Sequence, residues 1–169
     1  MGCAVVQYQN CEKYKNNADF ARLIICVDEA DGVVIKGRVY SAFLHSEHPF
    51  YTLEQVISLA EQVFDLNSFP QASFGKRYFR TSSEKQKINR GETMGNLHVI
   101  DEKQLQSGEK GTFVVRVMFR QCATWQGTVS WVEGNKTQNF RSMLELVHLM
   151  EDALGVDDVV WESAPEEEV

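Results

Sequence analysis

Apolar and polar residues take turns along two stretches of the chain. Phe113, Val115, Val117 and Phe119 interleave with Val114, Arg116, Met118 and Arg120. After a turn at Gln121 to Thr124, Trp125, Gly127, Val129 and Trp131 interleave with Gln126, Thr128, Ser130 and Val132. A period of two over this length predicts strands with one buried face, carried by the first-named residues of each set. Earlier in the chain Leu23, Ile25 and Val27 precede Asp31-Gly32, and Ile35, Gly37 and Val39 follow it. Asp-Gly between apolar runs predicts a hairpin. The period then changes. Leu53, Val56, Ile57, Ala60, Val63 and Phe64 recur at helical spacing, as do Met143, Leu146, Val147, Met150 and Leu154. Thr52-Leu53-Glu54-Gln55 and Ser142-Met143-Leu144-Glu145 read as capping boxes at the two helix starts. Glu54, Ser58, Glu61 and Gln62 lie off the first stripe and are expected to face water.

These patterns are one pattern written twice. Residues 21–65 lie over 111–155 without a gap at an offset of ninety. Val27, Gly37, Val39, Phe50, Leu59 and Glu61 meet identical residues, and Leu23, Ile25, Ile35, Leu53, Val56, Ile57 and Phe64 meet apolar ones. The predicted fold is α+β: an internal duplication of a β-β-α unit, forming antiparallel sheet with two helices packed on one face. Ala4 to Tyr8 and Leu97 to Ile100, just ahead of each copy, suggest a third strand and a β-β-β-α unit. Gly37 and Gly127 fall mid-strand on the inward face, where glycine permits close helix approach or marks a bulge. The expected organisation is a single domain over 1–169, with repeats at about 1–70 and 91–160. A basic excursion at 71–95 separates them, and an acidic disordered tail at 162–169 closes the chain.

Charge adds a second layer. The chain is acidic, with net charge −7, yet the window from Pro70 to Gly91 carries +5. An acidic protein is a poor nonspecific coat for DNA. The four cysteines show no C-x-x-C spacing, and no run approaches the ~20 apolar residues a membrane helix needs. An intracellular setting with reduced thiols is the expectation, with no membrane partner.

The outward face of the sheet supplies the main candidate site. Arg22, Lys36, Arg38 and Tyr40 are assigned to it from the first copy. Arg116, Arg120, Gln126, Thr128 and Ser130 are assigned from the second. Cations with Tyr and Gln could grip phosphates and bases, although a wetted basic face is also what an ordinary antiparallel sheet presents. Ile24, Val114 and Met118 on the same face leave room for a protein partner. Lys76, Arg77 and Arg80, interleaved with aromatics, form a further candidate binding strip or an edge strand.

Other chemistry is thin. His45, Glu47 and His48 fall short of a zinc set, which needs three or four convergent ligands. Cys122 is an exposed-looking thiol with no histidine tied to it. Phosphate-loop, dinucleotide and H-E-x-x-H signatures are absent, so no catalytic residue, cofactor or metal is assigned.

Residues 113–154, with FRQCATWQGTV followed by FRS and a helix, resemble an uncharacterised group of small proteins from anaerobic bacteria. That group shares an F-R-Q-x-A-T-W-Q-G-T-V core, with Asn more usual where Cys122 stands. The resemblance covers about a quarter of the chain. It implies a bacterial, cytoplasmic protein and no particular activity. The expected function is a non-enzymatic protein-interaction or self-association module acting through the open face or edge of the sheet. Nucleic-acid or anionic-ligand binding is the alternative.

Overall fold

The computed structural model describes residues 21–31, 34–42, 44, 46–73, 75, 77, 79 and 106–156. Among them are strands β1 (Arg22–Asp31), β2 (Val34–Ser41) and β3 (His48–Phe50), then helix α1 (Leu53–Asn67). Strands β4 (Gly111–Phe119), β5 (Gln126–Trp131) and β6 (Lys136–Phe140) follow, then helix α2 (Met143–Leu154). All six strands form one antiparallel sheet in the order β3-β2-β1-β4-β5-β6. The class is α+β.

The register keeps the offset of ninety. Leu23 pairs with Ser41 and Val27 with Gly37 in β1–β2; Phe113 pairs with Trp131 and Val117 with Gly127 in β4–β5. Gly37 faces Phe50, and Gly127 faces Phe140. At the sheet centre Ile24 pairs with Val114, its own counterpart ninety residues on.

Both central strands carry a bulge at the same place, between Val27 and Glu29 and between Val117 and Phe119. An inserted residue reverses the side-chain parity of everything beyond it. Gly37 and Gly127 stand opposite these bulges. A Cβ on Gly37 would run into the carbonyl oxygen of Cys26, and one on Gly127 into that of Arg116. The glycines therefore admit a neighbouring strand's backbone, the bulge reading of the two that their positions allow.

One buried cluster unites Leu23, Ile25, Val27, Val39, Phe113, Val115, Val117, Trp125 and Val129 of the sheet side with Val56, Ala60, Val63 and Phe64 of α1 and Leu146 and Met150 of α2. A smaller cluster of Ile24, Cys26 and Val114, flanked by Tyr40 and Val132, lies on the opposite face. The helix starts differ in detail. Ser142 accepts a hydrogen bond from the Glu145 N–H at 3.1 Å, a true side-chain cap, whereas the Thr52 side chain makes none to the backbone. The third helical residue of each reaches back past the cap: Gln55 accepts from the Tyr51 N–H and Glu145 from the Arg141 N–H.

Two sequence expectations change here. The third strand of each half lies between the second strand and the helix, in segments that read as loop; the proposed strands at Ala4 to Tyr8 and Leu97 to Ile100 lie outside the described residues. The Asp31-Gly32 turn, the excursion from Thr81 to Gly95 and the 162–169 tail also fall wholly or partly outside them. Glu61, expected to face water, is partly buried and bonded.

Candidate functional site

The outward face is built from residues beside and between the bulges, and its two halves differ. In the first half Lys36 and Arg38 are matched by acids. Arg38 donates from Nε and Nη2 to the two oxygens of Asp28, each at 2.9 Å, and its Nη1 lies 3.8 Å from Glu47. The Tyr40 hydroxyl donates to Glu47 at 2.6 Å, and Lys36 pairs with Glu29 at 2.7 Å. Asp28 is the bulge residue itself, so the inserted position is what delivers its carboxylate to Arg38. That hydrogen bond holds the Asp28 carboxyl below its ordinary range. Burial, and then the bond to Glu47, pushes the Tyr40 phenol up to about 12. Burial likewise pushes the Cys26 thiol up to about 11, leaving it inert at neutral pH. The Ser107 carbonyl accepts from Arg38, and the Lys110 N–H donates to the Val27 carbonyl, so this strand end is closed by the incoming backbone.

Ninety residues on, every one of these groups is replaced. Met118 stands where Asp28 stands, Phe119 for Glu29, Gln126 for Lys36, Thr128 for Arg38, Ser130 for Tyr40 and Thr137 for Glu47. One contact survives the change: Ser130 and Thr137 share a hydrogen bond at 2.9 Å, as Tyr40 and Glu47 do. Gln126 is occupied in closing its own turn, exchanging bonds with the backbone of Gln121. Met118 and Phe119 are left 54% and 52% exposed. Beyond β5, the sheet of the described residues ends at β6, where Lys136, Thr137, Gln138 and Asn139 are all exposed. The opposite edge, β3, is three residues long and contains Pro49.

Arg120 is the largest correction. Alternation assigns it to the outward face, but the Val117/Phe119 bulge turns Phe119 outward and Arg120 inward, where Arg120 is 5% exposed. Its Nε and Nη2 donate to Glu61 at 3.1 and 2.7 Å, Nη2 also reaches Asp65, and Nη1 donates to the Pro70 carbonyl at 3.1 Å. The guanidinium lies 5.7 Å from the Phe64 ring centre, and Trp125 donates from Nε1 to Glu61 at 2.6 Å. This cluster fastens the end of β4 to α1. It is a structural joint rather than a surface for phosphate.

Of the remaining candidates, Arg22 and Arg116 face each other directly across β1 and β4. Arg77 is exposed at the rim of a cleft of about 1070 Å³ whose lining includes Glu61, Arg120 and Cys122. Lys76 and Arg80 lie outside the described residues. The Cys122 thiol is exposed and free, and no histidine is among the described lining residues. His45 falls outside the described residues, and among those described no group of His, Cys, Asp or Glu is arranged to hold a metal. No described helix is long and apolar enough to cross a membrane.

Sequence reasoning missed the acids. Asp28 continues the outward series of Arg22, Ile24 and Cys26, so alternation alone already placed it on that face; Glu29 falls in the inward series, and Glu47 lies in a segment read as loop. A hairpin turning near Asp31-Gly32 already sets Glu29 beside Lys36, and that signal was available. The bulge that sends Asp28 to Arg38 was not.

Comparison of the chain with protein-family models, curated proteins and solved structures returned no match in any of the three.

Proposed function

We propose that this chain is a non-enzymatic protein-interaction module, built by duplication of a β-β-β-α unit whose helices pack on one face. It acts through the outward sheet surface of its second half. The shared register and paired bulges support the duplication. The exposed neighbours Met118 and Phe119 carry the functional reading. They are bulky apolar groups placed where the first half keeps Asp28 and Glu29 in ion pairs. Exposed apolar side chains beside the polar Gln126, Thr128 and Ser130 mark contact surfaces. The anion-binding alternative loses Lys36, Arg38 and Arg120 to acid partners, so fewer cations remain to release counterions from phosphate.

A photo-crosslinking residue at Phe119, with a matched one at Glu29, tests the reading in the native host. Protein adducts from position 119 and none from 29 are the expected result. Absence of adducts at 119, or oligonucleotide binding that weakens linearly in log salt, would replace the module with the anion-binding alternative.

A further inference from the structure

We infer that the edge of β6, which has no strand beside it among the described residues, pairs with β6 of a second copy of this chain, antiparallel about a twofold axis through Gln138, joining the two described six-stranded sheets. The inference rests on the interaction-module reading and names its partner.

Edge strands expose unpaired N–H and C=O groups that template further pairing. The two edges of this sheet are treated differently. Pro49 pairs with Arg38, and its counterpart Asn139 pairs with Thr128. A proline tolerated on an edge strand occupies a position whose N–H side faces away from its neighbour. Pro49 thus removes the outward donor from β3. Asn139 keeps it in β6, and Thr137, two residues back, has the same orientation. β6 also runs five residues against three in β3.

The edge is complementary to itself. With the axis at Gln138, Thr137 of one copy meets Asn139 of the other, an uncharged pair of hydrogen-bonding side chains on the outward face. Lys136, the usual guard against edge pairing, lies at the strand end with its ammonium 5.9 Å from the Trp131 ring centre. In this register it faces Phe140 of the second copy. Next to that residue the Glu145 carboxylate is already paired with the Arg141 guanidinium at 3.5 Å, so the lysine meets a locally neutral pair. The interface is isologous and closes at two copies, and the Pro49 edges stop the sheet from growing further.

Sedimentation equilibrium on the full chain tests this, with three variants. The wild type is expected to show a concentration-dependent dimer. Asn139→Pro, which copies the sister strand's own residue, weakens it at least about tenfold through the loss of two inter-copy hydrogen bonds. Gln138→Cys gives an oxidised dimer cross-linked at that residue, because residues on the axis form a non-hydrogen-bonded pair with Cα atoms about 4.5 Å apart. Phe119→Glu leaves the dimer intact. A monomer at every concentration overturns the inference, as does a dimer indifferent to Asn139→Pro that gives no cross-link in the Gln138→Cys variant. A dimer lost only in Phe119→Glu also overturns it while upholding the module. Adducts at position 119 judge the module separately. If Asn139→Pro proves unfolded by circular dichroism, the Gln138→Cys cross-link decides.

Discussion

The two halves of the sheet share a backbone and disagree about their outward chemistry. In the first, the bulge at Asp28 presents a carboxylate that Arg38 binds with two nitrogens, and Lys36, Glu29, Tyr40 and Glu47 complete a charged surface. In the second, the bulge presents Met118 and the next position Phe119, both exposed. The inward side is reversed in polarity: Ala30 packs against the core in the first half, and its counterpart Arg120 is buried in an ion cluster in the second. A bulge fixes where side chains point without fixing what they are. The same geometry thus serves as a self-satisfied surface in one half and as an available one in the other.

The comparison is most easily broken at Arg120. Arg120→Ala gives the second half the first half's residue and leaves Glu61 without its guanidinium beside a buried indole. A loss of about 4 kcal/mol is expected by urea unfolding, because breaking a buried pair strands the remaining charge. A loss below about 1 kcal/mol would mean the cluster is not a joint.

The shared backbone is tested at the glycines. Gly37→Ala and Gly127→Ala each force a methyl against a carbonyl oxygen across the strand. Each is expected to cost about 3 kcal/mol, at the upper end of overpacking penalties. Equal costs sharpen the equivalence of the two bulges; a large inequality would show that one hairpin relaxes where the other cannot.

The outward contrast has a pH signature. Asp28→Asn is expected to cost about 1 kcal/mol at neutral pH, discounted for its partial exposure. The Asp28 carboxyl is held below its ordinary range in the fold. Its contribution is therefore complete above the unfolded value of about 3.9 and disappears as pH falls through the lower folded value. Wild-type and variant urea midpoints should converge on acidification. Met118→Ala, at the equivalent position, should show a difference from wild type that does not change with pH through this site.

The smallest effect separates the helix starts. Ser142→Ala is expected to lose about 1 kcal/mol, because its hydroxyl oxygen caps the Glu145 N–H, and Thr52→Ala only a few tenths. Thermal melts of the two variants measure the gap.

Much of the architecture is legible in the residues. Alternation in 113–117 and 125–131 and the two stripes at helical spacing mark strands and helices that the fold contains. The edge strands were not legible: Lys136–Phe140 buries only Phe140, so it has no alternation to read, and His48–Phe50 is too short to have a period. Nor was the cluster around Arg120, whose partners are 55 and 59 residues away in sequence.

By itself the sequence determined the periodicities, the offset of ninety and the two glycines, because each is a local consequence of burying one face of a strand or helix. The tertiary structure decided which residues lie beyond the bulges, which acids meet which cations, and which strands form the edges of the sheet among the described residues. A bulge adds one residue to one strand in answer to the backbone of another. The parity change it causes is therefore a property of the pair, and no single stretch of sequence contains it.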